Sequence, residues 1–272
     1  MIEDNKFNNY RIAVPAEFES VFSHFYFAEN KSEEFITKTF LPSYQTILIF
    51  NFGCKAILHS KQNSQIEVEK CLILGPIKKA FDYSLPPKSE ILVANFKDDS
   101  FYRFFGAASI AEHLPINPDV LLNQNCFTAL WEELSKIHTT DRRIDFILKF
   151  CKPYLQNRNQ VLESLTATDN PNLDKIKSVA ALHNHTERNI QLYHKKYLGY
   201  SAKEINRYER FLNAVKFIQH NITLKNKVDW FEIVDKCGYY DQSQLIRDFK
   251  YYIDLSPTKY LEFQQAICNP KS

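Results

Sequence analysis

Cys237-Gly238-Tyr239-Tyr240-Asp241-Gln242-Ser243-Gln244-Leu245-Ile246-Arg247-Asp248-Phe249-Lys250 carries the strongest local structural signal in the C-terminal part. Gly238 readily takes the left-handed backbone conformation that ends a helix, and Asp241 is a residue type that caps the start of the next. Beyond Asp241, Leu245 and Phe249 recur at helical spacing, while Ser243, Gln244, Arg247 and Lys250 share the opposite face. The stretch predicts a helix, a tight turn and a second, capped amphipathic helix.

The same pattern occurs upstream at an offset of 55, pairing Thr186-Glu187-Arg188-Asn189-Ile190-Gln191 with Asp241-Gln242-Ser243-Gln244-Leu245-Ile246, Lys195 with Lys250 and Tyr197 with Tyr252. Ahead of the caps the offset becomes 54, pairing Val179-Ala180 with Ile233-Val234 and Asn184 with Gly238, so the second copy carries one extra residue in its turn. A duplicated helical unit follows. Between the copies, Ile205, Tyr208, Leu212, Val215 and Ile218 mark a long amphipathic helix over residues 202–220, and Asp229 with Glu232 has capping-box spacing. Residues 159–272 show no strand pattern, and an all-α domain of two helix-turn-helix units joined by a long helix is expected.

A helix-turn-helix can lay its second helix in the DNA major groove, with its exposed face against base edges. In the first copy that face holds Arg188, Gln191, Leu192 and Lys195, opposite Ile190. Arg can bond guanine and Gln adenine in bidentate fashion, while Lys suits phosphates. The expected base readers are Arg188, Gln191, Ser243, Gln244 and Arg247; the expected phosphate contacts are Lys195, Lys196, Arg210 and Lys250. An ordinary solvated helix face would explain one copy, but not a matched pair at this spacing.

These residues resemble the AraC/XylS family of bacterial transcription regulators. The resemblance rests on 237–250 and on Leu255-Ser256-Pro257-Thr258-Lys259-Tyr260, with Arg207, Arg210 and Ala214 in the linker helix, and covers about residues 159–266. It implies two helix-turn-helix units entering successive major-groove segments on one side of the duplex. The first copy departs from the family pattern at Leu192, where a basic residue is common, at His194, where a buried Phe is usual, and at Ala202, where Pro is common. The second unit is therefore the expected stronger reader.

From Val21 to Lys97 the chain changes character. Short runs rich in β-branched and aromatic residues, at 21–27, 46–52, 55–58, 65–69 and 90–96, are punctuated by Gly53, Gly75-Pro76 and Pro86-Pro87 and read as strands of an all-β core. Val93-Ala94-Asn95-Phe96-Lys97 and Phe101-Tyr102-Arg103-Phe104-Phe105-Gly106 resemble, more faintly, the N-terminal domains of some AraC-type regulators, which implies a cupin-like β-barrel that senses a ligand or pairs two copies. Cys126, Leu130, Trp131, Leu134 and Ile137, then Ile144, Ile147, Leu148 and Cys151, mark two bridging helices. The whole reads as an α+β chain: a cupin-like sensor or dimerisation domain at 1–158 and a DNA-binding domain at 159–272. Phe22, Phe25, Tyr26, Phe27, Phe50 and Phe81 are either the lining of an apolar effector pocket or plain core.

Composition narrows the function classes. With 34 Lys plus Arg against 32 Asp plus Glu in 272 residues, bulk charge announces neither nucleic acid nor membrane. Residues 159–272 carry 16 basic and 13 acidic side chains, a weak local excess. The opening Met1-Ile2-Glu3-Asp4-Asn5-Lys6 lacks the order of a secretory signal, no apolar run approaches a membrane span, and six scattered Cys suit a reducing cytosol, so a soluble cytoplasmic protein with free thiols is expected. His24, His59, His113 and His138 show no paired ligand spacing, and the adjacent carboxylates Glu33-Glu34, Asp98-Asp99 and Glu132-Glu133 are expected to be solvated. No phosphate-binding or nucleophile-elbow motif occurs among five Gly, so neither an enzyme nor a metal or cofactor is expected. The expected partners are double-stranded DNA, a small-molecule effector at the N-terminal domain, RNA polymerase and a second copy of the chain. The alternative reading is a ligand- or protein-binding module whose DNA binding is weak or vestigial.

Overall fold

The computed structural model describes residues 6–59, 65–108, 110, 115–167 and 173–268. Two compact units make up the chain, Met1–Tyr200 and Ser201–Ser272. Among the described residues the first unit opens with nine strands: β1 (Phe7–Ile12), β2 (Phe22–Asn30), β3 (Ile36–Phe40), β4 (Ile47–Gly53), β5 (Ala56–His59), β6 (Gln65–Val68), β7 (Cys71–Leu74), β8 (Phe81–Leu85) and β9 (Ser89–Phe96). They pair antiparallel into a five-stranded sheet, β1-β2-β9-β4-β7, and a four-stranded sheet, β3-β8-β5-β6. The cupin-like expectation is met by two sheets with a shared core, rather than by one closed ring of strands.

The period-2 alternation of β4 and β9 builds two cores from one sheet. Ile47, Ile49, Ile91 and Val93 point to the core shared with Leu58, Tyr83 and Leu85 of the other sheet. The intervening Leu48, Phe50, Leu92 and Ala94 join a second core with helices. Burial on both faces explains why 47–50 is a continuous apolar run.

Helices α1 (Ser100–Phe105), α2 (Pro118–Leu122), α3 (Cys126–Ser135) and α4 (Thr140–Cys151) supply the other half of that second core. Phe127, Leu130 and Leu134 of α3, with Ile144, Ile147 and Leu148 of α4, pack there, so the apolar stripes expected to bridge domains are spent on the sheet. Trp131 Nε1 donates to the Asn51 carbonyl at 2.7 Å. Arg143 is buried on α4, with its guanidinium 3.8 Å from the Phe52 ring centre and bonded to Glu90.

The Asp98-Asp99 pair departs from expectation. Asp99 is buried rather than solvated, and Arg158 Nε lies 2.9 Å from its carboxylate while Arg158 Nη2 reaches Asp98 at 3.0 Å. A buried carboxylate is tolerated because a guanidinium neutralises it. The sequence conceals this pairing because the partners are some 60 residues apart.

The aromatics between the sheets are core. Tyr26, Phe40, Phe81 and Tyr83 line a cavity of about 20 Å³, room for about one water. The Tyr26 and Tyr83 hydroxyls satisfy one another at 3.1 Å.

The first unit continues with α5 (Gln160–Thr166), α6 (Leu173–Leu182) and α7 (Glu187–Leu198). The second contains α8 (Ala202–Thr223), α9 (Trp230–Lys236), α10 (Gln242–Ile253) and α11 (Pro257–Cys268). The compact units thus divide at 200/201, after the first helical pair. Among the described residues no helix is long and apolar enough to cross a membrane. His113 and Met1–Asn5 lie outside the described residues.

Candidate nucleic-acid interface

Each repeat copy forms the helix, turn and capped helix that its sequence requires. In the first, Asn184, with φ 57°, turns the chain after α6, and the Thr186 side chain accepts from Asn189 N–H to cap α7. In the second, Gly238, with φ 73°, turns the chain after α9, and Asp241 accepts from Gln244 N–H to cap α10. Each such cap contributes about 1 kcal/mol. Four residues separate α6 from α7 and five separate α9 from α10, which is the extra residue seen in the repeat. The Asp229/Glu232 pair differs: Asp229 caps α9 through Phe231 N–H, but Glu232 turns down the helix to Lys236 at 2.6 Å, a closer ion-pair partner.

On α10 the buried stripe is Leu245, Asp248, Phe249 and Tyr252, and Phe249 packs edge-on and Tyr252 tilted against Phe211 of α8. That leaves Ser243, Arg247 and Lys250 exposed and Gln244 half-buried on the opposite side. Gln244 is also part of the turn, since its Oε1 accepts from the Tyr240 backbone N–H at 2.9 Å. Tyr240 is 92% exposed. On α7, Arg188, Gln191, Lys195 and Lys196 are exposed, as is Leu192. Lys196 Nζ lies 4.9 Å from the Tyr197 ring centre.

Arg210 is placed differently from the other expected phosphate contacts. Its Nη2 donates to Asp248 Oδ2 at 3.1 Å, and its guanidinium lies 4.8 Å from the Tyr239 ring centre. Arg207, one helical turn away, donates from Nε to Asp248 Oδ1 at 2.6 Å and packs on Tyr251 at 4.3 Å. Burial pulls the Arg207 pKa down, but the bond to Asp248 and the charge beside it outweigh this and leave it raised. Burial pushes the Tyr239 phenol up, and the Asp248 charge adds to the shift. The two arginines therefore tie α8 to the back of α10.

Sequence reasoning missed Asp248 as a functional position, although the signal was present. A carboxylate on an apolar stripe needs a buried cation, and Arg207 and Arg210 stand at i and i+3 on the preceding long helix. In the first copy Tyr193 occupies the equivalent position and packs against Tyr197, ring centres 5.4 Å apart. Its neighbour His194 is buried at the position that Phe249 holds in the second copy; Nδ1–H donates to the Tyr200 carbonyl at 2.8 Å, which makes the polar ring tolerable there.

Among the described residues, no group of three or more His, Cys, Asp or Glu is arranged to hold a metal. Burial raises the Cys237 thiol pKa, as befits a packed side chain rather than a nucleophile.

Residues 221–262, from the end of α8 through α9 and α10 into α11, match the family model for bacterial regulatory helix-turn-helix proteins, AraC family. Similar solved structures include ToxT from Vibrio cholerae, at 13% identity over 96% of this chain and 99% of that chain, with a TM-score of 0.42. Unsaturated fatty acid bound ToxT from Vibrio cholerae strain SCE256 is 12% identical over 96% and 97%, with a TM-score of 0.39. The AraC-like transcriptional activator CuxR is 7% identical over 97% and 86%, with a TM-score of 0.22. No curated protein matches the sequence.

Proposed function

We propose that this member of the AraC family, a DNA-binding transcription regulator by its helix-turn-helix segment, reads double-stranded DNA through two unequal helices, α7 and α10. The single observation that carries the inequality is the contrast between their exposed faces: α10 presents Arg247 where α7 presents Leu192. Arg247 and Ser243 would read bases on the second half-site, and Arg188 and Gln191 on the first. Lys195, Lys196 and Lys250 would hold phosphates and set the register. Arg210 would act behind the reading face, by fixing α10 to α8.

In this reading residues 159–272 work as the DNA-binding half although the compact units divide at 200/201. Residues 1–158 would control them, through a small-molecule effector or through pairing of two copies, with RNA polymerase as the downstream partner. Regulation in cells that survives removal of 1–158 unchanged would end that part of the proposal.

The experiment is selection of bound duplexes from a random pool by the full-length chain at near-physiological salt. The proposal requires enrichment of two short blocks about one helical turn apart, the block read by α10 being the sharper. Absence of any enriched block would favour a ligand- or protein-binding module instead.

A further inference from the structure

We infer that Leu192 reads the methyl group of a thymine, so that the first half-site contains a T·A pair chosen by apolar contact rather than by a hydrogen bond. The inference rests on the proposal that α7 enters the major groove, and deepens it. Leu192 is 59% exposed and stands four residues after Arg188 and three before Lys195, both exposed, while the buried stripe of the same helix is Ile190, His194 and Leu198. Residues three and four apart share one helix face. Leu192 therefore lies in the middle of the face that carries the expected contacts, at the position that Arg247 holds in the second copy.

Single exposed leucines are ordinary on protein surfaces and need no partner. The flanking residues set this one apart. If Arg188 meets a base edge and Lys195 a phosphate, the side chain between them is carried to the floor of the groove and displaces water there. Leucine has neither donor nor acceptor to offer in exchange.

The base edges meet that requirement at one base only. Guanine shows N7 and O6, cytosine its amino group, and adenine one acceptor and one donor. An apolar side chain set over any of these strips water without replacing the hydrogen bond, which costs free energy. Thymine alone shows a methyl group, and a leucine against it removes two apolar surfaces from water together. One buried carbon corresponds to about a three- to five-fold change in affinity. Such a contact discriminates less than a bidentate arginine, so α7 stays the weaker reader.

The test uses the full-length chain. Selection from random duplexes is run with the wild type and Leu192→Ala, with helix content checked by circular dichroism. Leu192→Ala withdraws the side chain from the groove and should flatten one base-pair position, at which the wild type prefers thymine on one strand. Replacing that thymine by uracil, which differs only in lacking the methyl group, should weaken the wild type about three- to five-fold and leave Leu192→Ala unaffected. At the same position 5-methylcytosine should bind better than cytosine by a similar factor, again for the wild type alone, because the methyl group returns without the other groups of thymine. Another preferred base at the flattened position, or indifference of the wild type to both methyl exchanges, overturns the inference. Uracil placed in turn at every thymine of the enriched blocks keeps the test independent of how the variant folds, and the lack of any methyl-sensitive thymine overturns the inference with DNA reading still standing. A motif left intact in Leu192→Ala does the same. The absence of any block with the wild type overturns DNA reading itself, and this inference with it.

Discussion

Asp248 Oδ1 lies 2.6 Å from Nε of Arg207, and the two residues stand 41 positions apart in the chain. Asp248 is 1% exposed and its second oxygen takes Arg210 at 3.1 Å, so one buried carboxylate joins two turns of α8 to the inner face of α10. The exposed face of α10 is thereby oriented by the helix behind it. Under the proposed reading, Asp248 touches no DNA but holds in place the α10 side chains that do.

Asp248→Asn removes the charge while keeping the shape. Both guanidinium groups lose an ionic partner, but Arg207 is partly open to solvent, which screens the loss. Stability should fall by about 1–2 kcal/mol, less than the loss expected when a fully buried pair is broken. Urea unfolding checks the stability, and competition between specific and random duplex should show specific binding weakened more. A variant with unchanged unfolding and unchanged specificity would show that the clamp is idle.

Arg247 and Lys250 are both exposed on α10 but should fail in different ways. Arg247→Ala should lose about 1–3 kcal/mol of discrimination at one base pair. Lys250→Ala should weaken all sequences alike and reduce the salt slope by about 1. Titration on specific and random duplexes at several salt concentrations separates the two. Equal losses on both duplexes for Arg247→Ala would remove it from the base readers.

Leu192 is 59% exposed on α7 at the position that Arg247 holds on α10. Leu192→Arg should add a contact to the weaker half-site, sharpening the block read by the first unit and raising affinity for the two-block duplex. An unchanged selected motif would show that α7 does not face a groove.

His24 gives the first unit a pH dependence of definite sign. Burial lowers its pKa from the ordinary 6.5, and the nearby Arg11 charge lowers it further. Well above pH 6.5 the ring is neutral in both folded and unfolded chains and contributes no pH dependence. As pH falls below that value the unfolded chain takes up a proton that folded His24 resists, so stability declines until the pH reaches the lowered pKa. Thermal unfolding across that window should show the decline, and His24→Gln should flatten it. A decline of the same size in the variant would assign it to other groups.

The helix-turn-helix units were legible because their signals are local. Gly238, Asn184, Thr186 and Asp241 each act within four residues along the chain, and each does in the structure what its residue type allows. Five of the strand runs were visible for a similar reason, since alternation and continuous apolar runs register burial directly. Strands β1, β3, β7 and β8 were not. The edge strands β1 and β3 are largely exposed and carry polar residues such as Asn8, Asn9, Thr37 and Lys38, which gives no alternation to detect. The expected site residues were found on exposed helix faces, apart from half-buried Gln244 and Arg210. The role of Arg210 depended on Asp248, and Gln244 was missed as part of the turn because one hydrogen bond to the Tyr240 backbone assigns it there.

Local sequence sets the duplication, the turns, the N-cap residues and the apolar faces, because backbone conformation and periodicity depend on neighbours one or two turns away. Only the tertiary structure decided the strand order β1-β2-β9-β4-β7, the burial of Asp99 against Arg158 and the partnership of Asp248 with Arg207 and Arg210. Each joins groups tens of residues apart. Which distant cation reaches a buried carboxylate, or which strand completes a ladder, follows from how the cores pack and leaves no fixed spacing in the chain.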